Sequence, residues 1–241
     1  MNKFNLITAT CLAAGLMSAS FASAATVTVT DVVGIWSSAT KDDGTSAAGV
    51  GTSAITWGTP AGSGYSGYVF EGATVPFSPA PETQFAFGKF THRNFPVYPP
   101  ALASAVLDLS ITVLVDGESH TLGASYQFTH DETPNTAGTC PVGSVSVCDD
   151  IVSFAPIANS FDTVEVDGIK YTFLLDNFVN SMGVPVDRFL TQENAANVAE
   201  LVGRFTSEIP AVPAVPVPAA LPLLMAGLGA FGVVRSRRKA A

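Results

Sequence analysis

Two short segments hold the side chains most capable of chemistry. In "FAFGKFTHRNFPVYPP", Thr91, His92 and Asn94 stand together, and in "FTHDETPN", His130 is followed by Asp131 and Glu132. Imidazole and carboxylate at such spacing can move protons or ligate a cation. The tripeptide Phe-Thr-His occurs in both segments, at 90–92 and 128–130, each time at the end of an expected strand. If those ends are neighbours, His92 and His130 approach each other beside Asp131 and Glu132. A third segment, "TCPVGSVSVCDD", adds Asp149 and Asp150.

A cation site drawn from His92, His130, Asp131, Glu132, Asp149 and Asp150 would suit calcium if oxygen ligands dominate, and zinc or another transition metal if the imidazoles join. No EF-hand spacing and no His-Glu-x-x-His pattern is present. The plainer reading leaves the acids solvated and makes Thr91, His92 and Asn94 a structural turn after a strand, with Pro96 ending the pairing. No motif calls for a cofactor, and calcium is the one cation the oxygen-rich reading admits.

Other catalytic signatures fail on inspection. "GYSGY" at 64–68 imitates a nucleophile elbow, but Tyr68 replaces the second glycine and no helix signal follows. A glycosidase needs two carboxylates about 5 to 10 Å apart, and 20 acids single out no pair. Trp36, Trp57, Tyr65, Tyr68 and Tyr98 would make a sugar-stacking surface if exposed, although core packing absorbs most such rings. A hydrolase built on His92 and nearby acids, and a carbohydrate-binding module, are therefore the alternatives to a non-catalytic domain.

The elements that must position these residues are strands. In "AVLDLSITVLVDGESHTLG", Leu107, Leu109, Ile111, Val113 and Val115 alternate with polar residues up to the Asp116-Gly117 turn. "FDTVEVDGIKYTFLLD" repeats the pattern, with Val164 and Val166 before Asp167-Gly168 and Ile169, Tyr171, Phe173 and Leu175 after it. Further strands are expected at 25–30, 54–57, 85–91, 124–129 and 152–154. One helix is expected in "TQENAANVAELVGRF", capped by Thr191, with Ala195, Val198, Val202 and Phe205 on one face. The fold class is all-β: a single antiparallel β-sandwich or jelly-roll-like domain.

The two ends differ from this middle. Lys3, an apolar run from Phe4 to Met17 and the small residues Ala22, Ser23 and Ala24 read as a signal peptide, residues 1–24, cleaved after Ala24. Residues 209–234 hold no charge, and 215–234 would span about 30 Å as a helix, enough for one transmembrane segment. Arg235, Arg237, Arg238 and Lys239 follow as a stop-transfer cluster that keeps its end cytoplasmic. The divisions are thus an exported domain at 25–208, a Pro-rich stalk and sorting motif at 209–218, a transmembrane segment at 219–234 and a basic tail at 235–241. The exported part keeps six of the 11 basic residues against all 20 acids, a net charge of −14, which excludes nucleic acid as a partner. Cys140 and Cys148, close together in an exported chain, read as a disulfide.

The tail "VPVPAALPLL" resembles the PEP-CTERM sorting signal in its Val-Pro-Leu-Pro-Ala variant, matched by Val215, Pro216, Pro218 and Ala219, with Val217 in place of the usual leucine. Thr91, His92, Arg93 and Asn94 resemble the Thr-His-any-Asn motif of exported proteins carrying that signal, a family that also tends to have segments like "FTHDETPN" and "CPVGSVSVCDD". The resemblance implies an exosortase, a membrane-embedded cysteine transpeptidase or protease, as processing partner beside signal peptidase. It implies an inner-membrane precursor of a Gram-negative bacterium, then delivery to the cell surface or its polysaccharide matrix. It implies no reaction, and no role for the motif residues.

Overall fold

The computed structural model describes residues 26–62, 64–136, 140–141, 143–157, 163–180 and 185–208. The expected signal peptide, sorting motif, transmembrane segment and basic tail lie outside these. Among the described residues there is no helix, and every strand pairing is antiparallel.

One sheet runs in the order β1 (Val27–Lys41), β7 (Leu102–Val115), β8 (Glu118–Asp131), β9 (Asp150–Pro156) and β13 (Arg188–Thr191). The other runs β10 (Thr163–Val166), β11 (Ile169–Val179), β14 (Ala195–Glu208), β5 (Phe85–Asn94), β4 (Ser66–Gly72) and β2 (Ala54–Trp57), with β12 (Pro185–Val186) beside β11. A small ribbon joins β3 (Thr59–Pro60) to β6 (Val97–Tyr98).

The two expected hairpins form because their turn residues accept the left-handed conformation that matches strand twist. Asp116 and Gly117 have φ of 50° and 88°, and Asp167 and Gly168 have 51° and 74°. The alternation in β7 then fixes its register: Leu107, Leu109, Ile111, Val113 and Val115 are all buried, as are Ile169, Tyr171, Phe173 and Leu175 in β11. The other expected strands appear as β1, β2, β5, β8 and β9, several longer than their apolar cores. The bulges in β1 between Val29 and Asp31 and between Trp36 and Ser38 bend this 15-residue strand. Bent, it passes close to β4, where a Cβ at Gly34 would lie 2.3 Å from the Phe70 ring and one at Gly72 2.1 Å from the Val32 carbonyl.

Between the sheets lies a core dominated by rings. Phe90 of β5 and Phe128 of β8 stack at 5.1 Å, and Trp36, Tyr68 and Phe178 close around them. Three of the five aromatics expected for a sugar platform, Trp36, Trp57 and Tyr68, are buried here, and Tyr65 and Tyr98 alone of the five are exposed.

The expected helix is replaced by strand. β13 ends at Thr191, a turn follows through Asn194 at φ 56°, and β14 runs on to Glu208 between β11 and β5. Asn197 closes the turn by accepting from the Gln192 N–H at 2.8 Å and donating to the Gln192 carbonyl at 3.0 Å. The inward residues are Ala199, Leu201 and Phe205, while Val198, expected on the helix's apolar face, is 49% exposed. Two open sheet edges outweighed helix propensity, which is worth only tenths of a kcal/mol per residue. Thr206, Ser207 and Glu208 form the end of β14.

Candidate functional site

The Phe-Thr-His echo has a geometric meaning. β5 and β8 belong to facing sheets, and in each the Phe and His two residues apart point inward. Phe90 therefore meets Phe128, and His92 meets His130 at 5.1 Å between ring centroids. Thr91 points to the opposite face of its sheet and is half-buried. The motif residues thus occupy the last four positions of β5 itself rather than a turn after it, which corrects the expectation.

His92 and Asn94 are fully buried. The Thr191 hydroxyl donates to the Asp150 carbonyl at 3.3 Å, so it must accept from His92 Nδ1–H at 2.9 Å. This assigns the tautomer and leaves His92 Nε2 as a lone pair, without a hydrogen-bond partner. Asn94 donates to the Thr191 carbonyl at 2.9 Å, and its Oδ1 has no partner.

On the other sheet, His130 Nδ1 lies 2.7 Å from the Tyr68 hydroxyl, which can donate to it or accept from it. His130 Nε2 faces Glu132 Oε2 at 3.2 Å and Asp150 Oδ2 at 3.8 Å. Asp150, the first residue of β9, accepts the Thr133 N–H on Oδ1 at 2.8 Å, and its Oδ2 is buried without a donor. Glu193, in the turn that crosses from one sheet to the other, brings two further buried carboxylate oxygens beside the Asn94 amide. Ligand atoms of His92, His130 and Asp150 lie within 4.8 Å of one another, and so do those of Glu132, Asp150 and Glu193.

Burial sets the protonation here. It pushes His92 well below the ordinary imidazole range, with His130 adding to the effect, so His92 is neutral. Burial, then the Glu132 carboxylate, raises Asp150 to about 7; burial, then Asp150 and Glu132, raises Glu193 to about 7. Burial followed by the same two acids, Asp150 and Glu132, raises the Tyr68 phenol. Trp57 stacks on His92 at 5.6 Å and meets His130 edge-on at 5.1 Å, sealing one side.

Of the six residues gathered by sequence for a cation, His92, His130 and Asp150 come together, and Glu132 joins Asp150 in the adjoining group. Asp131 alternates outward and is exposed. Asp149 instead organises the loop before β9, accepting from Val145 N–H at 3.0 Å, Ser146 N–H at 2.9 Å and the Ser146 hydroxyl. Against the cost of burial, which alone would raise it, those bonds hold its carboxyl below the usual range. The same loop carries the disulfide between Cys140 and Cys148, Cα atoms 4.5 Å apart. Closing so short a loop stabilises by about 2 to 3 kcal/mol, and it fixes the chain that delivers Asp150.

Glu193 was missed by sequence because its segment reads as a helix start. The surface clefts lined by Val27, Tyr171 and Phe205, by Ile151, Arg188 and Leu190, and by Glu71, Lys89 and Glu200 include no member of this cluster. No known protein-family model and no curated protein matches the chain.

Proposed function

We propose that the chain is an exported, non-catalytic cell-surface or polysaccharide-matrix protein of a Gram-negative bacterium. In this reading signal peptidase removes residues 1–24, the apolar segment at 219–234 and Arg235, Arg237, Arg238 and Lys239 hold the precursor in the inner membrane, and an exosortase cuts near Val215, Pro216, Pro218 and Ala219. The carrying observation is the charge arrangement: residues 209–234 contain no charged side chain, four cations follow at once, and all 20 acids lie before them. The all-β unit, jelly-roll-like in this reading, and its Cys140–Cys148 disulfide suit an oxidising compartment.

Burial of His92 supports the non-catalytic reading over a hydrolase, since a general base must reach its substrate. Burial of Trp36, Trp57 and Tyr68 weakens the carbohydrate-binding alternative, leaving Tyr65 and Tyr98 as its available rings. The sorting step is tested by intact mass of the protein recovered from the envelope and medium. The expected product lacks residues before Ala25 and ends near 215–219, and Pro216→Ala with Pro218→Ala retains the tail. A mature product that keeps Lys239 in the wild type would contradict the sorting step.

A further inference from the structure

The cluster between β5, β8 and β9 contains more acceptors than its surroundings can satisfy. His92 Nε2, Asp150 Oδ2 and Glu132 Oε1 are buried without hydrogen-bond partners, and the two buried oxygens of Glu193 have only the nearby Asn94 amide to lean on. Native interiors tolerate few such atoms, and each one otherwise costs about 1 to 3 kcal/mol; here His92 and His130 on one side, Glu132 and Glu193 on the other, meet at Asp150. A positive charge of small radius answers that arrangement; a further hydrogen-bond acceptor cannot.

We propose that His92, His130 and Asp150, completed by a carboxylate of Glu132 or Glu193, form a closed binding site for one divalent transition-metal ion of the zinc class, tying the two sheets together. The donor set is mixed imidazole and carboxylate, which suits zinc rather than the all-oxygen preference of calcium. Bond lengths of about 2.0 to 2.1 Å imply donor atoms about 3.3 Å apart around a tetrahedral ion. His130 Nε2 stands 3.2 Å from Glu132 Oε2 and 3.8 Å from Asp150 Oδ2, near that edge length.

The surroundings are those of an oriented metal site as well. Each imidazole is held through its Nδ1, His92 by the Thr191 hydroxyl and His130 by the Tyr68 hydroxyl, which leaves His92 Nε2 buried and unpartnered and His130 Nε2 facing Glu132 and Asp150. Thr133 holds the other oxygen of Asp150. His92, His130 and Asp150 are all buried, with Trp57 as lid, so the site has no open position for a substrate and its work is structural. His92 comes from one sheet, His130 and Asp150 from the other. The strongly acidic exported part concentrates cations around it.

The test uses the full chain in detergent, stripped with a chelator, re-equilibrated with zinc or calcium and passed through gel filtration. About one zinc ion per chain retained, a higher melting temperature with zinc, and visible bands of a four-coordinate cobalt(II) substitute are expected. His92→Ala and Asp150→Asn should lose the ion, and Asp131→Asn should keep it. If His92→Ala does not fold, Thr191→Val keeps every ligand and should weaken zinc binding about 10- to 100-fold. A folded wild type that retains no zinc overturns the proposal. So does retention of calcium in place of zinc, or zinc binding unchanged in Thr191→Val.

Discussion

Asn94 shows how much one side chain carries at the end of β5. Its amide is fully buried and donates across the sandwich to the Thr191 carbonyl at 2.9 Å, so it fixes the residue that in turn orients His92. Asn94→Ala should destabilise the domain by about 1 to 3 kcal/mol in urea unfolding, because the Thr191 carbonyl loses its buried donor. Arg93, exposed and outward on the same strand, should tolerate alanine within about 0.5 kcal/mol. The pairing of His92 with His130 was legible in the sequence only as a condition, since the Phe-Thr-His echo brings the two rings together if the strand ends are neighbours, and the facing of β5 and β8 meets that condition. Glu193 was not, because 101 positions separate it from His92 and local patterning says nothing about which turn crosses which sheet end.

At the scale of elements, hairpins were the most legible feature. Asp-Gly between alternating apolar runs specifies turn, register and buried face together, as β7–β8 and β10–β11 show. β14 was illegible for the converse reason. Its apolar residues fit a helical spacing, and the adjacent apolar pair Leu201 and Val202, both buried, blurs the strand alternation. The two readings differ in what mutation does. Leu201→Ala should cost about 2 to 5 kcal/mol, whereas Val198→Thr should fall within about 0.5 kcal/mol, both by denaturant midpoint. A helix with Val198 on its buried face would make Val198→Thr costly. The disulfide loop before β9 and the crossing turn before β14 are the two elements that carry Asp150 and Glu193 to the cluster, and both are short and internally bonded.

At the scale of the whole molecule, the proposed function joins a folded, acidic all-β unit to termini that, on that proposal, would address it to the far side of a membrane. The Cys140–Cys148 disulfide would persist in the oxidising compartment that the proposal assigns to the domain. If the basic residues act as the stop-transfer signal, replacing Arg235, Arg237, Arg238 and Lys239 with Glu should deplete the inner-membrane precursor in cell fractionation. The most direct measurement is a topology reporter, alkaline phosphatase or a fluorescent protein that matures only in the cytosol, fused after Glu208. Phosphatase activity without cytosolic fluorescence is the expected result. A fluorescent fusion with inactive phosphatase would place the acidic domain in the cytosol and contradict the account.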